Sequence, residues 1–143
     1  MRLFKQKTEY TCGPACLRMA ISYYSKVCPS ERVLATLAST DKDIGTTPAN
    51  MVKALTALGY KPIVKNNCDL IELCTLSTRI PCIVLYEDEK DSYHYSLVMH
   101  LDEHSITLAD PYIGKEKVVS LEYFLSHWRY SDGTKGWMLI FPS

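Results

Sequence analysis

Two hydrophobic patterns, one after the other, constrain the fold of this chain more than any other feature. In the first part of the chain, apolar residues recur at helical spacing, as Leu17, Ala20 and Ile21 do. From Pro81 onwards they come in short continuous or alternating runs, which are typical of β-strands. Helical segments followed by strand segments predict an α+β fold, with N-terminal helices packed on a C-terminal antiparallel sheet.

The ends of these segments follow from helix caps and breakers. Ser30 and Thr47-Pro48 are typical helix starts, and Gly59 is typical of the position just after a helix. We predict helices that begin near residues 12, 30, 47, 67–69 and 120. We predict strands over residues 60–64, 82–86, 93–101, 105–109, 116–119 and 136–141. The acidic stretch 87–91 is predicted to be a solvated loop.

Length and charge limit the organisation of the chain and its partners. Its 143 residues are enough for a full hydrophobic core, and we expect residues 1–143 to form a single domain. Acidic and basic residues balance at 16 each, so the charge does not favour nucleic acid or an anionic membrane as a partner. No stretch approaches the length of a transmembrane helix, which argues against insertion into a membrane.

The six cysteines raise the question of disulfides or zinc. Residues 1–5 lack the apolar region of a signal peptide, so we expect a cytoplasmic protein with reduced thiols. Cys12 and Cys16 form a single pair four residues apart, and the sequence has no C-x-x-C motif, so structural zinc is not expected. Neither a metal nor another cofactor is predicted.

The strongest sign of chemistry is Cys12 at the start of the first helix. Pro14 suits the first helical turn, because its missing N–H costs nothing there, and Thr11 can serve as the N-cap. The positive end of the helix dipole and its free backbone N–H groups favour a thiolate over a thiol. A small buried cysteine is the alternative, but the Gly13-Pro14 pair and the upstream Gln6 favour a nucleophile.

Two residues of the predicted sheet can complete such a site. His94 begins one strand and Asp110 follows the end of the next, and in an antiparallel hairpin these outer ends are neighbours. A carboxylate behind an imidazole fixes its tautomer and stabilises the imidazolium, which in turn stabilises a thiolate. Gln6 can aim an amide N–H at the oxyanion of a tetrahedral intermediate, together with the backbone N–H of Cys12. The predicted catalytic residues are therefore Cys12, His94, Asp110 and Gln6.

Further motifs extend this set along the chain. In order they are Gln6-x5-Cys12-Gly13-Pro14-Ala15-Cys16-Leu17, then Gly45-Thr46-Thr47 before a helix that ends at Leu58-Gly59-Tyr60, Pro81 before an apolar strand, His94, and Asp110-Pro111-Tyr112-Ile113-Gly114. Together, and over essentially the whole chain, they resemble the C39 cysteine peptidases. Those are papain-like domains, best known at the N-terminus of ABC transporters that export bacteriocins, and they typically remove leader peptides after a Gly-Gly pair.

The resemblance implies a role for each predicted site residue. Cys12 would be the nucleophile, His94 the general base and acid, Asp110 the residue that orients His94, and Gln6 the oxyanion donor. The implied partner is a peptide, such as a precursor with a Gly-Gly leader. Tyr10 and Tyr95, each near a predicted catalytic residue, are our candidates for the walls of a narrow substrate channel that admits glycine.

The sequence also departs from the familiar members of that family. No transmembrane or ATPase region follows within the chain, so we expect a standalone form whose ABC transporter, if it has one, is a separate protein. Tyr95-Ser96 follows His94 where the family pattern has more apolar residues. Three classes of function stay open: a C39-type peptidase, a catalytically idle peptide-binding module of that fold, and another papain-like thiol acyltransferase or amidase. The presence of all four site residues favours the first class.

Overall fold

The computed structural model describes residues 1–142, which form helices packed on a six-stranded sheet. In chain order the elements are α1 (Cys12–Tyr24), α2 (Glu31–Leu37), α3 (Pro48–Ala57), β1 (Ile63–Lys65), α4 (Leu70–Ser77), β2 (Cys82–Glu89), β3 (Ser92–Leu101), β4 (Ser105–Asp110), β5 (Lys115–Ser120), α5 (Leu121–His127) and β6 (Met138–Ile140). The strand order is β1-β6-β2-β3-β4-β5, and every neighbouring pair is antiparallel. The predicted α+β class is confirmed. None of the helices described is long and apolar enough to cross a bilayer.

Most helix starts follow the predicted capping residues. The Thr47 hydroxyl accepts the backbone N–H of Asn50, and Pro48 takes up the first helical position behind it. The helices α2, α4 and α5 begin in the same way, on the side chains of Ser30, Asp69 and Ser120. Gly59 follows α3 with a φ of 88°, the left-handed conformation that glycine adopts without a steric penalty.

The start of α1 differs from its prediction. Thr11 occupies the N-cap position, but its side chain accepts no hydrogen bond from the helix. Its hydroxyl instead contacts the Thr8 hydroxyl at 2.8 Å and accepts the Thr8 backbone N–H at 3.2 Å. Thr11 therefore fixes the loop that leads into α1, and the backbone N–H groups of the first turn stay free of side-chain caps.

The prediction of a solvated loop at 87–91 was wrong. Strand β2 continues to Glu89 and pairs with β3 there, so only a two-residue turn, with Asp91 at a φ of 59°, separates the two strands. Glu87 is buried inside this hairpin, because Arg129 binds its carboxylate at 2.7 Å. The partner lies 42 residues away in sequence, so the local run of acidic residues gave no sign of it.

The centre of the sheet is buried on both faces. Ile83 and Leu85 of β2 pack against the N-terminal helices, whereas Val84 and Tyr86 point to the opposite face and pack near α5. This alternation follows from the two-residue period of a strand. Burial on both faces explains why the sequence of β2 is a continuous apolar run. The adjacent strand β3 packs against α1.

Candidate active site

Cys12 is the first residue of α1 and is partly exposed, while the residues behind it are buried. Close packing holds this turn in place. A Cβ on Gly13 would lie 2.9 Å from the Met51 sulfur and 3.0 Å from Thr46 Cβ, so a larger residue would have to displace one of these side chains. The thiol consequently lies at the positive end of a helix that is anchored on two neighbouring segments.

The strand register brings His94 and Asp110 together, as the sequence predicted. Leu97 pairs with Ala109 in the antiparallel ladder, so Asp110 lies opposite Ser96 and diagonally across from His94. The distance from His94 Nε2 to Asp110 Oδ1 is 2.7 Å. The two side chains are almost fully buried, which strengthens this charge-assisted hydrogen bond.

The imidazole of His94 also interacts with Cys12. Since its Nε2 is taken by Asp110, the ring nitrogen left for the thiol is Nδ1. Burial alone would lower the pKa of His94, but the hydrogen bond to Asp110 and the interaction with Cys12 outweigh burial and raise that pKa to about 9. The His94 imidazole is therefore hydrogen-bonded to the carboxylate of Asp110 and lies beside the Cys12 thiol.

The carboxylate of Asp110 is held in its charged form. Burial would raise its pKa, but the hydrogen bond and the charge of His94 outweigh burial and lower it. The backbone N–H of Tyr112 adds a second hydrogen bond to Oδ1 at 2.9 Å, and the Lys117 ammonium lies 4.0 Å from Oδ2. Asp110 is thus fixed by the loop that follows it.

Tyr86 packs edge-on against the His94 ring, with ring centroids 6.0 Å apart, and its hydroxyl is 3.0 Å from the Ser96 hydroxyl. Burial raises the pKa of the Tyr86 phenol. We did not predict this neighbour of His94 from the sequence. Its only sequence signal is the pairing of Tyr86 with His94, which requires the register of β2 and β3 to be known.

Gln6 is buried on the loop before α1. Its Nε2 donates to the Thr8 carbonyl at 2.8 Å, and the Thr11 hydroxyl donates to the same carbonyl at 3.3 Å. This shared acceptor links Gln6 to the residue that precedes Cys12. The second Nε2 hydrogen is not used by that bond, whereas Gln6 Oε1 is buried without a partner in the described residues.

Two backbone contacts hold the Gln6 loop from opposite sides. The Gln6 N–H donates to the Pro111 carbonyl at 2.7 Å, next to Asp110. The Lys7 N–H donates to both carboxylate oxygens of Glu31, each at 3.1 Å. Glu31 is only 4% exposed and is the first residue of α2. We did not predict the contact of Glu31 with Lys7 from the sequence, because an acid after Ser30 also suits the start of a helix.

Cys12 opens into a cleft of about 570 Å³, which we call the cysteine cleft. Its walls include Tyr10 and Tyr95, the two predicted substrate-channel residues. Tyr95 is 3% exposed and its hydroxyl donates to the Thr46 carbonyl at 2.8 Å, so it is a rigid wall. Tyr10 is 37% exposed and is free to contact a bound molecule. Met51 of α3 is fully buried in the core and is not available to a bound molecule.

The side chains that could bind a metal are dispersed in the part of the chain that the structure describes. No group of three or more His, Cys, Asp or Glu side chains within residues 1–142 is arranged to hold a metal ion. All six cysteines are free thiols. The arrangement around Cys12 is suited to nucleophilic chemistry on a carbonyl, since a thiol, an imidazole and a buried carboxylate follow one another in space.

The chain is similar in sequence to a known protein family and to two archaeal proteins. The model of the Peptidase C39 family matches residues 1–131. An uncharacterized protein of Methanothermobacter marburgensis is 34% identical over 116 residues, which cover 81% of this chain and 75% of that protein. A second uncharacterized protein, from Methanothermobacter thermautotrophicus, is 36% identical over 111 residues, which cover 77% of this chain and 71% of that protein.

Solved structures share the fold. The peptidase domain of Streptococcus ComA, a bi-functional ABC transporter of a quorum-sensing pathway, superimposes with a TM-score of 0.79 at 28% identity, covering 99% of this chain and 98% of that chain. A double-glycine-motif protease from an AMS/PCAT transporter, solved with its leader peptide, gives a TM-score of 0.76 at 19% identity, covering 99% and 91%. The predicted papain-like fold is confirmed.

Proposed function

This chain belongs to the Peptidase C39 family, and on that basis we propose that it is a cysteine peptidase with a Cys12-His94-Asp110 triad. The observation that carries the proposal is the buried 2.7 Å hydrogen bond between His94 and Asp110, beside a cysteine in the first turn of a helix. In this role Cys12 is the nucleophile, His94 the general base and acid, and Asp110 a positioning residue.

Acylation begins with attack of the Cys12 sulfur on the scissile carbonyl. A C–S bond forms and the carbonyl electrons move to oxygen, where the backbone N–H of Cys12 and the free Nε2 hydrogen of Gln6 stabilise the oxyanion. The C–N bond then breaks, and His94 Nδ1 transfers its proton to the leaving amine. Asp110 stays ionised and stabilises the imidazolium throughout.

Deacylation reverses the role of His94. Its neutral Nδ1 takes a proton from water, the resulting hydroxide adds to the thioester carbon, and the C–S bond breaks. The acid product leaves and the Cys12 sulfur is restored. An amine that replaces water would give acyl transfer instead, so hydrolysis and transfer differ only in which nucleophile reaches the thioester.

We further propose that the substrate is a peptide with a Gly-Gly pair before the scissile bond. The double-glycine-motif protease with its leader peptide has the same fold, and here Tyr10 and the rigid Tyr95 flank Cys12 in the cysteine cleft. A separate ABC transporter is the proposed partner, by analogy with the ComA domain. Six free thiols suit the reducing cytoplasm that we propose as the location.

The experiment is incubation with a peptide that contains one Gly-Gly pair, followed by mass spectrometry. We expect wild-type protein to cut after the second glycine and to accumulate a thioester adduct on Cys12. Cys74→Ser is the matched control, because Cys74 is an exposed thiol elsewhere, and it should cut as wild type does. Adding an amine nucleophile separates hydrolysis from acyl transfer by the mass of the product.

Two outcomes would contradict the proposal. Cleavage that survives in Cys12→Ala would show that another group is the nucleophile. Peptide binding without cleavage, equal in wild type and Cys12→Ala, would identify an idle binding module.

A further inference from the structure

A second groove lies next to the cysteine cleft, on the far side of the Gln6 loop. It has a volume of about 640 Å³, and its lining includes Lys5, Gln6, Lys7, Glu9, Tyr112 and Lys115. We call it the lysine groove. Glu9 also lines the cysteine cleft, so the two meet at the loop that leads into Cys12. An extended peptide lying across the thiol would enter one of them on each side.

The two grooves carry opposite charge. The lysine groove has three lysines against a single acid, Glu9. The cysteine cleft has Glu9, Asp43 and Asp91 against a single base, Lys42. The whole chain has no net charge, so this polarity is a local property of the surface around the site.

The lysines of the groove are available for a ligand. Lys5, Lys7 and Lys115 are all exposed, and none of them forms an ion pair within residues 1–142. The nearby backbone is fixed by contrast, since Gln6 is bonded to Pro111, and Gly114 packs against Lys5 so closely that a Cβ there would lie 2.7 Å from Lys5 Cβ. The three ammonium groups therefore extend from a rigid base.

The position of the groove identifies which half of a substrate it meets. The groove is bordered by Gln6 and by Tyr112. Tyr112 lies in the loop after Asp110 and donates its backbone N–H to the Asp110 carboxylate. In the proposed reaction His94, which Asp110 orients, protonates the leaving amine. In the proposed function Tyr10 and Tyr95 of the cysteine cleft flank the acyl half, so the lysine groove on the other side of the Gln6 loop is left for the half of the peptide that leaves.

We propose that the lysine groove binds acidic side chains in the peptide segment that follows the scissile bond. This inference rests on the proposed peptidase activity and adds a substrate preference to it. Exposed ion pairs are individually weak and are screened by salt, so the preference comes from several pairs together and is largest at low ionic strength. The acidic edge of the cysteine cleft adds to it, because it repels a peptide bound in the reverse direction.

The test compares peptides that share one Gly-Gly acyl half. The residues after the bond carry either three glutamates, three glutamines or three lysines, and a fourth peptide has the glutamates moved before the Gly-Gly pair. At low salt we expect kcat/KM for the glutamate peptide to exceed that for the lysine peptide by about tenfold, the scale of a few exposed ion pairs. The ratio should shrink in 0.5 M salt.

Charge variants then locate the effect. The ratio of kcat/KM for the glutamate peptide to that for the lysine peptide should fall to about one in a triple variant that combines Lys5→Gln, Lys7→Gln and Lys115→Gln. A control that removes the same charge from exposed lysines outside both grooves, Lys26→Gln, Lys61→Gln, Lys135→Gln, should keep the ratio. Ratios within each variant are independent of small differences in the fraction of folded enzyme.

The outcomes separate this inference from the peptidase proposal. Equal kcat/KM for all charged peptides, or a preference that follows acids placed before the bond, would overturn the groove assignment while cleavage itself stands. If no peptide is cut, the peptidase proposal fails. The groove is then judged by binding of the free triglutamate segment to wild type and to the triple groove variant, and equal affinity would overturn it.

Discussion

His94 is held in its charged form by contacts on both sides of its ring. Asp110 binds Nε2, the Cys12 thiol interacts with the ring, and Tyr86 packs against the edge. The high pKa of His94 results from Asp110 and Cys12, because burial alone acts in the opposite direction. We therefore expect the proposed pair of Cys12 and His94 to stay active to a higher pH than it would without Asp110.

The first prediction is that Asp110→Asn shifts the alkaline limit of activity. Wild-type kcat/KM should fall as the pH rises through about 9, because His94 then loses the proton it gives to the leaving amine. Without the carboxylate the pKa of His94 is lower, so the decline should begin at lower pH and the maximum should drop. Asp88→Asn is the control, since Asp88 contacts the same Lys117 but not the imidazole. An unchanged limit in Asp110→Asn would contradict this electrostatic role.

The second prediction concerns thiol reactivity. Iodoacetamide near neutral pH should label Cys12 first, because its sulfur is partly exposed in the first turn of α1 and lies beside the His94 imidazole, the proposed base. Burial raises the pKa of Cys16 and Cys82, the latter to about 12, so both should resist labelling. Cys74 is exposed and serves as the internal reference for an ordinary thiol. Peptide mapping by mass spectrometry gives each rate, and equal rates at Cys12 and Cys74 would contradict activation.

At the scale of the elements, the loop before α1 is the segment that positions Gln6 and leads into Cys12. It carries Gln6 and is held by the Asp110 loop through Pro111 and by α2 through Glu31. Glu31 contacts backbone only and lies away from the reacting atoms, so we assign it as a positioning residue. A buried carboxylate with one backbone donor is costly to keep unless the contact has a role in structure or function.

The third prediction ranks Gln6 and Glu31 by their effect on turnover. Gln6→Ala should lower kcat by about a hundredfold and leave KM nearly unchanged, because the oxyanion contact forms mainly in the transition state. Glu31→Gln keeps the shape of the side chain but weakens the hydrogen bond from the Lys7 backbone N–H. We therefore expect kcat to fall by a smaller factor than in Gln6→Ala, again at constant KM. In the double variant the Glu31 change should add little, since both act through one donor. A rise in KM for Gln6→Ala with normal kcat would make Gln6 a substrate-binding residue.

The fourth prediction concerns the width of the cysteine cleft. Replacing the glycine before the scissile bond by alanine should cost at least tenfold in kcat/KM, because Tyr95 is fixed by its bond to Thr46 and cannot move aside. Tyr10 is far more exposed than Tyr95, so Tyr10→Ala should relax the preference for glycine with little effect on the fold. Comparable cleavage after glycine, alanine and leucine would show that the cleft is not narrow.

The sequence was sufficient to select the candidate site residues whose signals are local. Cys12 was visible from the Gly-Pro that follows it, and His94 and Asp110 from their positions at the ends of a hairpin. Glu31 and Tyr86 were not visible, because their partners lie on other elements and their pairing depends on helix placement and strand register. The buried Glu87 was misread for the same reason, since Arg129 is remote in sequence.

At the scale of the whole molecule, the proposed site joins the two parts of the fold. Cys12 comes from the helical layer, whereas His94 and Asp110 come from adjacent strands of the sheet. The contact exists only while α1 is packed on β3, so the interactions of the imidazole are lost on unfolding. Unfolding therefore changes the proton affinity of His94, and the stability of the whole molecule becomes dependent on pH.

The last prediction is a loss of stability in alkaline solution that His94 controls. Its pKa is about 9 in the folded chain against 6.5 for an ordinary histidine, so its contribution is complete below pH 6.5 and is lost as pH rises through 9. That shift corresponds to about 3 kcal/mol at most. Urea denaturation should show the stability gap between wild type and His94→Gln narrowing from pH 6 to pH 10, whereas His100→Gln, an exposed histidine of the same strand, should give no such change. A gap that is constant with pH would mean that His94 stabilises the fold by packing alone.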